Sequence, residues 1–215
     1  MTFINLINEI LRRLRETEVS TSAENDYAKL IGDLVNDAKS VVESSHEWTA
    51  LRETLTFDTV AATKTYALTG AFQNAIFKEA INDTSNTFLR TVNRNYINQE
   101  TYIGSAAQGT PQYYAWNGTD GTGQLQVDLH PTPDAIYSMR FDMVIPQPAL
   151  TTDSTFLKVP FNPVLQLAYG YALREKGETG GQSAAEQFGV ASIALSDAIQ
   201  IDANKYQDEL TFVAC

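Results

Sequence analysis

Apolar residues recur at spacings of three and four near both ends of this chain and at a spacing of two through its middle, so helices are expected to flank a β region. Phe3, Leu6, Ile7, Ile10, Leu11 and Leu14 draw one stripe along a helix that starts from Thr2 as N-cap and ends near Glu16. A second start follows where Thr21-Ser22-Ala23-Glu24 fits a capping box. From there Tyr27, Leu30, Ile31, Leu34, Val35, Ala38, Val41 and Val42 continue the stripe to about Trp48, a rod of roughly 40 Å.

Between Leu51 and Val159 the pattern becomes short alternating runs punctuated by turn residues. Strands are predicted at 54–57, 64–68, 76–81, 112–116, 124–129 and 136–144, mostly antiparallel, with a short helix near 92–99. Helical spacing returns at Asn162-Pro163, a cap followed by proline in the first helical position, and runs through Val164, Leu165, Ala168, Tyr169, Ala172 and Leu173 to a stop at Gly177. After Gly180-Gly181, Ser183-Ala184-Ala185-Glu186 fits another capping box, and Phe188, Ala191, Leu195, Ala198, Ile199 and Tyr206 mark a fourth helix. Helices with single apolar faces must bury them together. The expected fold is therefore α+β: a four-helix bundle from the N- and C-terminal helices, with a mostly antiparallel β-strand insertion. The divisions fall at 1–50, 51–159, 160–209 and an apolar tail, 210–215.

With 215 residues and 43% hydrophobic content the chain can build a sizeable core. Its one cysteine, Cys215, excludes an intrachain disulfide and a cysteine-based metal site, and neither a metal nor a cofactor is expected. A net charge of −11 opposes gripping of phosphate backbones, which needs clustered cations. The densest basic cluster, Arg12, Arg13 and Arg15, is flanked by Glu9, Glu16 and Glu18 and reads as a solvated face. No apolar run approaches 18 residues, and the N-terminus is a charged amphipathic pattern rather than a signal peptide. The expectation is a soluble protein made in the cytoplasm, with no membrane partner.

No catalytic residue is assigned. His46 and His130 lie in different predicted layers, His46 at a helix end that suits an imidazole and His130 before a Pro-Thr-Pro turn. The run from Asn117 to Gly123 could be a metal loop using Asp120 and Asp128 or a phosphate cradle. It lacks the repeated acidic ligands of the first and the Gly-Lys-Ser/Thr of the second, so a hairpin turn is favoured. Asp33, Asp37, Glu43 and Glu47, at helical spacing, read as a solvated side rather than an acid/base pair. Tyr113, Tyr114 and Trp116 in one strand could stack sugars, with core or subunit packing favoured over that. Leu210, Phe212 and Val213 form a β-prone apolar end expected to dock on a partner, so the partner-contact candidates are Leu210, Phe212, Val213, Tyr113 and Trp116. A glycan-binding module and an unrecognised hydrolase are the alternatives to a structural role.

The order of features resembles the phage head-to-tail adaptor or connector proteins, which include the tail tubular A proteins of short-tailed phages. Leu11-Arg12-Arg13-Leu14-Arg15-Glu16 closes the first helix. Then come Asp26-Tyr27-Ala28-Lys29-Leu30-Ile31-Gly32, Val35-Asn36-Asp37-Ala38-Lys39 and His46-Glu47-Trp48. After the strands follow Leu129-His130-Pro131-Thr132-Pro133-Asp134, an extended segment with Pro146 and Pro148, and Val159-Pro160-Phe161 before paired helices. The resemblance implies a virion protein at the head-tail junction. It would form a homo-oligomeric ring, commonly a dodecamer, with helices as the ring body and the β insertion meeting tail or nozzle proteins beneath the portal. DNA would be met only in passage through the channel, and an acidic wall would let a duplex slide.

Overall fold

Five amphipathic buried positions, Phe3, Leu6, Ile7, Ile10 and Leu11, define the inner face of the first helix, α1 (Phe3–Arg13), in a computed structural model that describes residues 1–104, 107–177 and 181–205. The helix stops short of Glu16 because Arg15 takes a left-handed backbone (φ 60°). The second helix, α2 (Asp26–Ser45), starts later than the capping-box motif indicates. Asn25 is its cap, accepting a 2.7 Å bond from the Ala28 N–H, whereas Glu24 turns back to accept from the Ser20 N–H. At 20 residues it spans about 30 Å rather than 40. Trp48, fully buried, closes it by donating its indole N–H to the Val42 carbonyl at 2.7 Å. Near the other end of the chain lie α4 (Phe161–Glu175) and α5 (Gly181–Ala203). The first of these starts before Asn162, at Pro160, so Pro163 sits inside the first turn, where its missing N–H costs nothing. Gly177 (φ 59°) follows its end.

Two compact units account for the chain: Met1–Leu51 with everything from Gln147 onward, and Arg52–Pro146. In the first unit α1, α2 and α4 pack on one another, and α5 packs on α4. Residues 147–159, which the alternating pattern had placed with the β region, belong to this helical unit, extended over 147–151 and then turning at 152–155. Side-chain amides and charges hold them there. Asn36 brackets Leu150, donating to its carbonyl (3.1 Å) and accepting from its N–H (2.7 Å). Three and seven residues along the same face, Lys39 donates to the Gln147 carbonyl, and Glu43 accepts from the Gln147 N–H (3.2 Å). Lys39 and Glu43 also pair with each other at 3.0 Å, both side chains buried. The helix thus satisfies the backbone of an extended segment much as a neighbouring strand would. Asn8 treats Val19 the same way, with two bonds of 2.9 Å.

The second unit consists of β1 (Arg52–Asp58), β2 (Thr65–Phe72), β3 (Ile76–Asn82), β4 (Thr87–Phe88), β5 (Arg90–Thr91), α3 (Arg94–Tyr102), β6 (Tyr113–Thr119), β7 (Gln124–His130) and β8 (Ser138–Val144). They form two four-stranded sheets, ordered β1-β8-β3-β4 and β2-β7-β6-β5, antiparallel except for β5 with β6. Alternate residues meet between the sheets: Leu68, Tyr114, Val127 and Leu129 from one, Ala80, Met139, Phe141 and Met143 from the other. The molecule is thus α+β with antiparallel-rich sheets.

Candidate interaction surfaces

The last helix is apolar on two sides. Ala191, Ala194 and Ala198 are buried, and α4 and α5 approach closely enough at Gly170 that a β-carbon there would lie 2.8 Å from the Phe188 ring. Another face of α5 leaves Val190, Ile193 and Ile201 in solvent, with exposures of 47%, 65% and 66%, and Phe161 at the start of α4 is 49% exposed. A hollow of about 200 Å3 between the two helices is walled by Pro160, Pro163, Ala194, Ala198 and Ile201. Ordinary surface leucines need no explanation, but three β-branched residues at helical spacing beside an apolar hollow form a patch of the kind that marks a contact surface. The stripe was present in the sequence. It was masked because neighbouring positions supply the buried face.

At the C-terminal end of α5, Asp202 is buried and accepts from the Thr49 N–H (2.9 Å), the Thr49 hydroxyl (2.6 Å) and Lys205 (2.8 Å), with His46 Nε2 at 3.4 Å. Burial alone would raise its pKa, yet the bonds from Lys205 and Thr49 together hold the carboxyl below its ordinary value. This cluster fastens α5 to the short 3-10 turn Thr49–Leu51. Of the four carboxylates expected on one polar side, Asp33 and Asp37 are exposed, whereas Glu43 lies in the buried pair with Lys39, where burial raises its pKa against the pull of the lysine.

In the second unit, strand register separates the candidate aromatics. Tyr113 pairs with His130, Tyr114 with Leu129 and Trp116 with Val127. Alternation therefore turns Tyr114 and Trp116 inward, against Phe77, and Tyr113 to the opposite face. The three rings do not make one stacking platform. Trp116 lines a cavity of about 500 Å3 with Phe77 and Leu125 at one end of the sandwich. Tyr113 lies instead beneath α3, edge-on to Tyr96 at 6.2 Å.

His130 shares that outer face, 5.9 Å from Tyr96 and 6.4 Å from Tyr113, and burial lowers its pKa against the opposing charge of Glu100. Beside it, Asp128 is fully buried. It accepts from Thr65 (2.6 Å) and Asn117 (2.8 Å), with Lys64 at 3.6 Å and Arg94 at 3.8 Å. Lys64 also lies over the Tyr102 ring at 5.2 Å. Arg94 and Tyr102 are the first and last residues of α3, so the carboxylate and the lysine together strap both helix ends onto the sheet. Asp120 sits away from Asp128, at the hairpin tip, accepting from the N–H and hydroxyl of Thr122 and the N–H of Gln124, each at 2.8 Å. Those bonds hold its carboxyl below the usual range, as an Asx-type turn requires.

The segment bearing Leu210, Phe212 and Val213 lies outside the described residues. No helix among those described is long and apolar enough to cross a membrane. Comparison with curated proteins gives no match. The family model described as SU10 adaptor protein matches residues 1–210, the region in which the helical ends, the extended return at Gln147 and the two-sheet middle all fall. The chain therefore belongs to the SU10 adaptor protein family and is a phage structural adaptor.

Proposed function

We propose that the protein is one subunit of a ring, commonly twelve copies, that joins the portal of the phage head to the tail and forms part of the DNA channel. The observation that most supports this is α5, a helix apolar both toward α4 and toward solvent, as expected where a second copy completes the burial. The four long helices are read as a bundle forming the ring body. Leu210, Phe212 and Val213 are read as contacts to a neighbouring copy or the portal, and Trp116, with its cavity, as a contact to tail or nozzle proteins.

Charge is consistent with this arrangement. The helical unit holds seventeen acidic and nine basic residues, net −8, against nine and six, net −3, in the β unit. A ring body of that sign presents passing DNA with a wall that does not displace its counterions. Replacing Val190 and Ile193 together by aspartate tests the contact, because both side chains are exposed and neither walls the hollow against α4. The double variant is expected to keep the wild-type circular dichroism and melting temperature while losing assembly on the portal. Unimpaired assembly would refute the role given to α5.

A further inference from the structure

We propose that the second unit carries a binding site for an acidic saccharide, in the open cleft beside the short edge strands β4 and β5. The cleft has a volume of about 760 Å3, inside the roughly 300–1,000 Å3 range of small-molecule sites. Its lining combines two aromatic rings, one arginine and neutral hydrogen-bonding side chains. Phe88 and Arg90 flank Leu89, which is buried in the core, and both line the cleft. Phe88 is 67% exposed, an apolar ring held in water on a two-residue strand. Arg90 pairs in register with Tyr113, whose ring is the second aromatic wall. Among the described residues no carboxylate pairs with Arg90, and the side-chain amides of Asn86 and Gln112 make no hydrogen bond.

A sugar ring fits this inventory. Its hydroxyls both donate and accept, matching Asn86, Thr110 and Gln112, and its C–H face packs on an exposed aromatic ring. An unpaired guanidinium is suited to a carboxylate, which it meets with two parallel bonds. Nucleic acid is disfavoured because the cleft holds a single cation, Arg90, in a unit of net charge −3. A peptide added as a strand is disfavoured because β4 and β5 are two residues long each. The site uses Tyr113 without Trp116, and its neighbours on β4 and β5 come from strands too short to show any period in the sequence.

Saturation-transfer NMR and calorimetry on the full-length protein test this with tetragalacturonate and its methyl ester, and with sialyllactose and lactose. The acidic members should saturate and bind at least about fivefold more tightly than their neutral counterparts. Arg90→Gln should reduce them to the neutral level, and Phe88→Ser should weaken both. Trp116→Phe, on the inner face, should change neither. The proposal fails if neither acidic probe saturates, if the preference survives Arg90→Gln, or if hexaglutamate or an oligothymidylate competes more tightly than the sugars for the same resonances. None of these measurements depends on ring formation, so the adaptor reading can fail without affecting the result.

Discussion

At Gly170 the absence of a side chain is what lets α5 lie down on α4. A methyl group would lie 2.8 Å from the Phe188 ring and force it to shift, so Gly170→Ala is expected to cost up to about 2 kcal/mol, overpacking less the gain in helix propensity, measured by urea denaturation. A full wild-type midpoint would mean the helices do not depend on that approach. Asp202 is the second residue on which the position of α5 rests. Because its carboxyl lies below the ordinary aspartate value, its contribution is complete above that range and disappears as the pH falls through the folded value. Asp202→Asn should therefore lower stability by about 1.5–3 kcal/mol at pH 7, the range for hydrogen bonds to charged groups, with the gap closing in melts taken at progressively more acid pH. A gap independent of pH would remove the ionic account. Neither residue stands out in the sequence. Gly170 sits in a run of good helix formers, and Asp202 has the spacing of an exposed carboxylate, because what distinguishes both is a neighbour on another element.

Among the elements, α2 does more than bury a stripe. Its Asn36, Lys39 and Glu43 form a rack for the chain returning at Gln147 and Leu150. Lys39→Met alone leaves Glu43 buried without its partner and should cost about 3–5 kcal/mol, whereas Lys39→Met with Glu43→Leu should recover most of that loss, read by thermal unfolding. Equal losses in the single and double variants would show that the bonds to Gln147, not the ion pair, dominate. The helices and the six longer strands were legible because each holds one period for several residues. Strands β4 and β5 were not, since two residues cannot display alternation. Residues 147–159 were placed with the β region because they carry no helical period, and nothing local says that helix side chains bond Gln147 and Leu150. The cap of α2 moved from Thr21 to Asn25 because two polar candidates compete and only one can reach the free N–H groups.

For the whole molecule, the order of helical ends around a β middle was readable from period alone, and the family match over residues 1–210 gives that order its biological setting. What the sequence concealed was surface: which apolar residues remain outside after the core is filled. Val190, Ile193 and Ile201 stay outside because Ala191, Ala194 and Ala198 of the same helix supply its buried face, and Phe88 stays outside because Leu89 takes the place in the core. Tyr113 and Trp116, grouped as one aromatic strand, turn out to serve opposite faces. The exposed face of α5 is the surface proposed to serve assembly into a ring beneath the portal. Mixing the purified protein with its cognate portal and imaging the product by electron microscopy tests that role. The expected product is a closed ring of adaptor density capping the portal with an open central channel. A portal that remains bare at saturating adaptor, or that binds scattered copies without closure, would contradict it.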